Sequence, residues 1–119
     1  MRFNPDEMQS ALRKSWSLAT AREWTPDNPA AGQCNVTAIL VHELFGGDLL
    51  KTPLPIGDHF YNRIAGRRYD FTESQFTQPI TYVDLPATRA GAERGATNAE
   101  LAALRAAFQR QCSNAAVSR

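Results

Sequence analysis

The sequence lacks most of the features that mark proteins for secretion, for membranes or for nucleic acid. It has two cysteines in 119 residues, too few for the disulfide framework of a small secreted domain. No stretch approaches the roughly 20 apolar residues that a membrane span needs, and no signal peptide is recognisable. The net charge of +1 provides no broad basic surface for nucleic acid. We therefore expect a cytoplasmic protein whose partners include neither nucleic acid nor a membrane.

Residues that commonly bind metals are also scarce. The chain has two histidines and two cysteines, and the spacing of Cys34, His42, His59 and Cys112 matches no zinc site. A disulfide between the two cysteines is not expected in the cytoplasm. We expect no metal, and the chemistry considered below implies no organic cofactor.

The apolar residues, 43% of the chain, are sufficient for the core of one domain. Their spacing predicts an N-terminal helix at 5–21, a central helix at 33–45, a small antiparallel sheet over 48–85 and a C-terminal helix at 97–112. Asn4 is typical of a helix N-cap, and a capping box starts at Thr97. The central helix is apolar nearly all round, which places it in the middle of the fold. The predicted fold class is α+β.

The sheet region divides into shorter elements. The pattern predicts strands at 48–54, 57–64, 67–71 and 80–85, one helical turn at 72–76 and a loop over 86–95. A two-residue turn at 65–66 would pair Ile64 with Arg67 and Asn62 with Tyr69. The segment 57–64, rich in aromatic and β-branched residues, is the best strand in the chain.

Cys34 stands where the polar loop NPAAGQ gives way to the central helix. The first N–H groups of a helix lack partners and carry the positive end of the helix dipole, which favours a nucleophilic thiolate. Gly32 lets the backbone approach a substrate closely. Either these N–H groups or the amide of Gln33 could hold an oxyanion. The alternative is a packing role, since free cysteine is among the most buried residue types.

A nucleophilic cysteine needs a base, and the chain offers two histidines. His42 lies on the same helix as Cys34, roughly 12 Å further along it, which is too far for contact. His59 lies on the best strand, which can pack against the helix start. His59 is therefore the candidate base, although a lone histidine on a strand is often structural.

Asp70 is the candidate group to orient the histidine. The predicted hairpin register places His59 and Asp70 on the same face of the sheet, within reach of each other. Asn62 would face the opposite side. The alternative role for Asp70 is to end its strand and cap the turn at Thr72.

A cysteine on a helix, a histidine on a strand and an aspartate on the next strand, in that order, resemble the papain-like and transglutaminase-like core. More specifically, the chain resembles the YunG-like family of bacterial proteins. The matching runs are KSW at 14–16, Trp24, NPAAGQCNVTAILV at 28–41, FGGDLLKT at 45–52, HFYN at 59–62 and YDFTESQF at 69–76. The resemblance covers roughly residues 10–80 of the printed sequence.

The resemblance implies a papain-like or transglutaminase-like core, in which a buried helix bearing the cysteine packs on a small antiparallel sheet. It supports Cys34, His59 and Asp70 as catalytic residues, with Gln33 and Trp24 as oxyanion or substrate-binding residues. In papain-like enzymes the oxyanion glutamine lies several residues before the cysteine, whereas Gln33 is adjacent to it. The Trp24 indole N–H and the Cys34 backbone N–H are therefore alternatives for that role.

These residues predict a cysteine-dependent acyl-transfer enzyme: an amidase, peptidase, deamidase or transglutaminase-like enzyme. Cys34 would attack a carbonyl, His59 would take and return the proton, and Asp70 would hold the imidazole. The substrate would be a peptide, a protein side chain or a small amide. Two alternatives stay open: a non-catalytic peptide- or protein-binding module on the same fold, and a structural protein with an inert Cys34. The pattern predicts no oligomeric state.

Overall fold

The structure of the protein is a computed structural model that describes residues 2–118. Within that range the α+β class is confirmed, with four α-helices and one four-stranded antiparallel sheet. The elements in chain order are α1 (Pro5–Ser15), α2 (Cys34–Phe45), β1 (Asp48–Leu54), β2 (Gly57–Ile64), β3 (Arg67–Tyr69), a 3₁₀ turn (Glu73–Gln75), β4 (Leu85–Pro86), α3 (Arg89–Glu93) and α4 (Asn98–Ser118). The strands lie in the order β3–β2–β1–β4.

Helix α1 begins as the sequence predicts but ends earlier. The side-chain oxygen of Asn4 accepts hydrogen bonds from two first-turn N–H groups, both at 3.1 Å. The prediction extended this helix to residue 21, whereas in the structure it ends at Ser15 and Trp16 is extended, with ψ of 142°. The buried indole N–H of Trp16 donates to Thr37 Oγ1 on α2 at 2.9 Å. Because this contact is with another helix, the periodicity of residues along α1 cannot predict it. The contact holds the chain at the point where it leaves α1.

Helix α2 lies at the centre of the fold, packed against β2, α3 and α4. Gln33 is its N-cap, so Cys34 is its first residue. The core around it contains Leu12, Trp16, Val36, Ile39, Val41, Phe60, Leu104 and Phe108. The nearly all-round apolar pattern of the central segment therefore predicted its position correctly.

Two glycines end α2 and turn the chain into β1. Gly46 and Gly47 have φ of +72° and +74°, a region that other residues rarely adopt. A Cβ on Gly46 would meet nothing within 4 Å, whereas a Cβ on Gly47 would overlap the carbonyl oxygen of Arg63 on β2. Gly47 thus lets the two backbones approach closely.

Alanine at these two positions should cost different amounts of stability. Gly46→Ala should lower the free energy of unfolding by about 2 kcal/mol, because φ of +72° with ψ of −138° is a conformation that almost only glycine adopts. Gly47→Ala should cost about 2 kcal/mol beyond that, because β2 must also move away from the new methyl group. Urea denaturation of both variants measures the difference, and equal losses would contradict the close approach of the backbones at Gly47.

The β2–β3 hairpin has the register that the two-residue turn predicts. Asn62 pairs with Tyr69 and Ile64 with Arg67, as expected. Strand β3 is shorter than the predicted 67–71, because it ends at Tyr69 and the following residue uses its side chain for the contacts described below. The hairpin fixes the relation between β2 and the residues that follow β3.

The predicted strand at 80–85 is largely replaced by irregular chain. Of this region only Leu85, together with Pro86, pairs with β1. The backbone N–H of Val83 donates to Thr52 Oγ1, and that of Asp84, whose φ is +52°, donates to the hydroxyl of Tyr61. Hydrogen bonds to side chains take the place of a strand ladder here, and an alternating apolar pattern cannot reveal them.

The stretch 86–95, predicted as a loop, contains the short helix α3. Thr88 caps it by accepting a hydrogen bond from Gly91 N–H at 3.0 Å. Ala92 is fully buried against the core. The helix is too short for a periodic pattern, and packing against α2 stabilises it instead.

Helix α4 starts at the predicted capping box and runs past its predicted end. Thr97 and Glu100 exchange the two capping hydrogen bonds, at 2.9 and 3.0 Å. The prediction ended the helix at residue 112, whereas it continues to Ser118. None of the helices in the described range is both long and apolar enough to cross a membrane.

Candidate functional site

A cleft of about 790 Å³ opens at the start of α2. Its walls come from five parts of the chain: the loop at 20–23, residues 31–32 and 34–36 around the helix start, residues 54 and 56–59 of the β1–β2 hairpin, residues 75–76, and residues 94–97 with Glu100. Both Cys34 and His59 line this cleft. The candidate nucleophile and base therefore share one concave surface.

Cys34 occupies the first position of α2 and is 9% exposed. Its thiol donates to the side-chain oxygen of Asn35 at 3.3 Å, and the Asn35 amide nitrogen donates to the Ala92 carbonyl at 2.9 Å. The contact with α3 thereby fixes the orientation of the amide beside the sulfur. Cys34 and Cys112 are both free thiols.

His59 lies on β2 and is 3% exposed. Its Nε2 lies 2.6 Å from Oδ2 of Asp70, whose side chain is equally buried. The Phe76 ring meets the imidazole edge-on at a centroid distance of 4.8 Å, and the Tyr61 ring stacks on it at 5.7 Å. With Nε2 engaged by Asp70, Nδ1 is the ring nitrogen left for the thiol.

The surroundings of His59 raise its pKa from 6.5 to about 9. Burial by itself lowers the pKa, because it disfavours the charged ring. The hydrogen bond to Asp70 and the charge of that carboxylate, together with the interactions with Cys34, outweigh burial. The raised pKa favours the protonated ring beside the Asp70 carboxylate.

Asp70 performs both roles that the sequence left open. Its Oδ1 accepts from the backbone N–H and the hydroxyl of Thr72, at 3.1 and 3.2 Å, which caps the turn. Its Oδ2 contacts His59 and also accepts from the hydroxyl of Tyr82 at 2.7 Å. Burial and the Asp70 carboxylate raise the pKa of Tyr82. Sequence reasoning missed Tyr82, because it lies in the irregular segment where a strand was predicted.

The side chains of Gln33 and Trp24, predicted to bind the oxyanion or substrate, do not line the cleft. Gln33 is fully buried, with its Oε1 accepting from Thr20 at 2.8 Å and its Nε2 donating to the Ser17 carbonyl at 3.4 Å. Neighbouring residues at a helix start point about 100° apart, so Gln33 faces away when Cys34 faces the cleft. Trp24 Nε1 is buried without a partner among the described residues.

The remaining oxyanion candidate from the sequence is the backbone at the helix start. The first-turn N–H groups of α2, from Cys34 to Val36, have no intrahelical acceptor. Gln33 N–H, in contrast, donates to the Ala30 carbonyl at 3.1 Å. The first-turn groups are the donors nearest in sequence to the sulfur, and they carry the positive end of the helix dipole.

The fold and this cluster define a class: a small α+β protein in which a cysteine at a helix start and a strand histidine, paired with a buried aspartate, line one cleft. The chain belongs to the YunG family, because the family model described as "YunG protein" matches residues 4–113. It is similar to "Uncharacterized protein YunG" of Bacillus subtilis (strain 168), with 39% identity over 105 residues, 88% of this chain and 91% of the relative. The YunG-like resemblance is thereby confirmed. No solved structure matches the chain significantly.

Proposed function

We propose that this protein is a cysteine-dependent acyl-transfer enzyme with Cys34, His59 and Asp70 as its catalytic triad. One observation carries the proposal: Cys34, at the start of α2, lines the same cleft as His59, whose Nε2 lies 2.6 Å from the buried Asp70 carboxylate. A purely structural cysteine has no need of a charged pair buried beside it, and burying charge costs stability.

The proposed reaction starts with a thiolate–imidazolium pair. The sulfur of Cys34 attacks the carbonyl carbon of an amide, and first-turn N–H groups of α2 hold the developing oxyanion. The His59 imidazolium then gives its proton to the leaving nitrogen, the C–N bond breaks, and a thioester remains on Cys34. Water or an amine attacks the thioester while the neutral His59 accepts its proton, and cleavage of the C–S bond restores the thiolate.

We further propose that the fold is a variant of the papain-like or transglutaminase-like core. In support, a buried helix carries the cysteine at its first residue and packs on β2, which carries the histidine. The aspartate follows β3, the neighbour of β2 in the sheet. The chain order and the spatial order of the three side chains both agree with that core.

The proposed substrate is a peptide, a protein side chain or a small amide. A cleft of about 790 Å³ has room for a side chain with some flanking backbone. The proposed steps use side chains and backbone of this chain and no cofactor. A reactive free thiol is compatible with a reducing compartment, and we place the protein in the cytoplasm.

Alkylation by iodoacetamide tests the thiol chemistry without knowledge of the substrate. At pH 7 Cys34 should be labelled at least about 10-fold faster than Cys112, because only a thiolate reacts and burial raises the pKa of Cys112. His59→Ala should remove most of that advantage, since the imidazolium stabilises the thiolate. Peptide mapping by mass spectrometry gives both rates in one sample.

The second cysteine is the internal control in this experiment. A Cys34 that reacts no faster than Cys112, together with a rate that His59→Ala leaves unchanged, would refute the proposed chemistry. That outcome would favour the non-catalytic binding module on the same fold.

A further inference from the structure

The hydroxyl of Tyr82 and the ring of His59 meet at a single oxygen atom. Asp70 Oδ2 lies 2.7 Å from the tyrosine hydroxyl and 2.6 Å from His59 Nε2. The other carboxylate oxygen, Oδ1, is engaged by Thr72. The phenol and the imidazolium therefore share one acceptor on a carboxylate that is otherwise held in place.

Tyr82 is itself fixed from several sides, although its segment is irregular. The guanidinium of Arg68 lies 4.3 Å from the centre of its ring, and the ring of Tyr61 meets it edge-on at 5.0 Å. Arg68 also donates two hydrogen bonds to Asp84, at 2.8 and 2.7 Å, which ties down the chain just after Tyr82. The contacts with Arg68 and Tyr61 thus hold the tyrosine hydroxyl against Asp70.

We propose that Tyr82 is a positioning residue that limits how tightly Asp70 holds the proton of His59. A hydrogen bond from a neutral donor spreads the negative charge of a carboxylate and weakens its attraction for a second, cationic donor. Tyr82 would in this way keep the imidazolium able to release its proton to a leaving group. This consequence for catalysis rests on the proposed acyl transfer. The effect on the proton of His59 does not, because it can be measured in the resting protein.

The other charged groups that line the cleft with His59 are Arg22, Glu23, Asp58, Arg94 and Glu100. His59 is faced by Asp70, by Cys34 from α2 and by Tyr61 along β2. The ion pair between Lys51 on β1 and Asp58 on β2, at 3.3 Å, is exposed to solvent and screened by it.

Around Tyr82 lie Arg68 and Glu73, whose Oε2 is 3.5 Å from the tyrosine hydroxyl, and Asp6 lines the same surface depression. Among the groups named, Asp70 alone has hydrogen bonds to both His59 and Tyr82. An effect of the Tyr82 hydroxyl on His59 therefore passes through that carboxylate.

Tyr82→Phe tests the proposal, because it removes the hydroxyl and keeps the ring in place. We expect the pKa of His59, followed by NMR of the imidazole protons, to rise by about half a unit or more. The chain has one other histidine, His42, which serves as an internal reference in each titration. Comparing Tyr82 with Tyr82→Phe again in a Cys34→Ala background removes the coupled titration of the thiol.

Tyr61→Phe is the matched control. It also removes a hydroxyl, one that is bonded to Thr52 and Asp84 rather than to Asp70, and it keeps the ring that stacks on His59. The control should lose stability and leave the pKa of His59 unchanged within the error of the titration.

Two outcomes would overturn the proposal: a pKa of His59 that stays or falls in Tyr82→Phe, or an equal rise in Tyr61→Phe. An inert Cys34 would refute the acyl transfer and leave this titration result standing. Fast labelling of Cys34 with no change in the His59 titration would refute the role of Tyr82 alone. The two failures are therefore distinguishable.

Discussion

Serine in place of Cys34 is expected to lower acyl transfer by at least about 10³-fold. Unlike a thiol, a serine hydroxyl does not give its proton to the imidazole of His59 in the resting protein. The hydroxyl then stays protonated and is a poor nucleophile. Incubation with p-nitrophenyl acetate measures the effect as release of p-nitrophenolate and as an acetyl group on residue 34 in the intact mass spectrum.

The matched control for this substitution is Cys112→Ser on α4, which should leave acetylation of Cys34 unchanged. Both variants should fold. In Cys34→Ser the serine hydroxyl can still donate to Asn35, as the thiol does at 3.3 Å. We expect Cys34→Ser to change the free energy of unfolding by less than about 1 kcal/mol. A large loss of stability with no loss of acetylation would instead support a structural cysteine.

Alanine in place of Asp70 should lower the free energy of unfolding by about 3 kcal/mol or more. The carboxylate accepts hydrogen bonds from Thr72, Tyr82 and His59, and its side chain is 3% exposed. Without it, His59 and Thr72 lose their acceptor in the interior, Tyr82 keeps only the longer contact with Glu73 at 3.5 Å, and the imidazolium loses its counter-charge. Urea denaturation at pH 6 measures the loss, and a loss below about 1 kcal/mol would contradict the buried pair.

Asp70→Asn separates the charge of this residue from its shape, through the dependence of stability on pH. The folded-state pKa of His59 lies above its ordinary value of 6.5, at about 9, so protonation of the ring stabilises the folded protein. That stabilisation is fully present below about pH 6.5 and is lost as the pH rises through about 9. The free energy of unfolding of the wild type should therefore exceed that of Asp70→Asn most at low pH, and this difference should shrink at alkaline pH. A difference in free energy of unfolding that does not depend on pH would show that the charge of Asp70 contributes nothing to stability.

Local patterns predicted the parts of the site that short stretches of chain determine. Cys34 follows from the junction of a glycine-marked loop with an apolar helix, and the relation of His59 to Asp70 follows from a two-residue turn. Both depend on interactions between residues close in sequence, where periodicity and turn length restrict the geometry strongly. The register of the β2–β3 hairpin agrees with that reasoning.

The parts of the site that sequence reasoning missed depend on contacts distant in sequence. Gln33 was a reasonable oxyanion residue by type, but its amide bonds to Thr20 and Ser17 and does not line the cleft. Tyr82 reaches Asp70 from a segment whose alternating pattern indicated a strand. No local signal separates a tyrosine that packs on a sheet from one that donates to a buried carboxylate.

The sequence by itself determined the α+β class, the central position of α2, the hairpin register and the family, because hydrophobic period, turn chemistry and matching runs are properties of local sequence. The tertiary structure alone decided where α1 ends, that α3 exists and which donors surround the Asp70 carboxylate. The physical reason is the free energy of burying polar groups. A buried donor or acceptor must find a partner wherever the fold supplies one, and the partners here, Thr37 for Trp16 and Asp70 for Tyr82, lie on other elements.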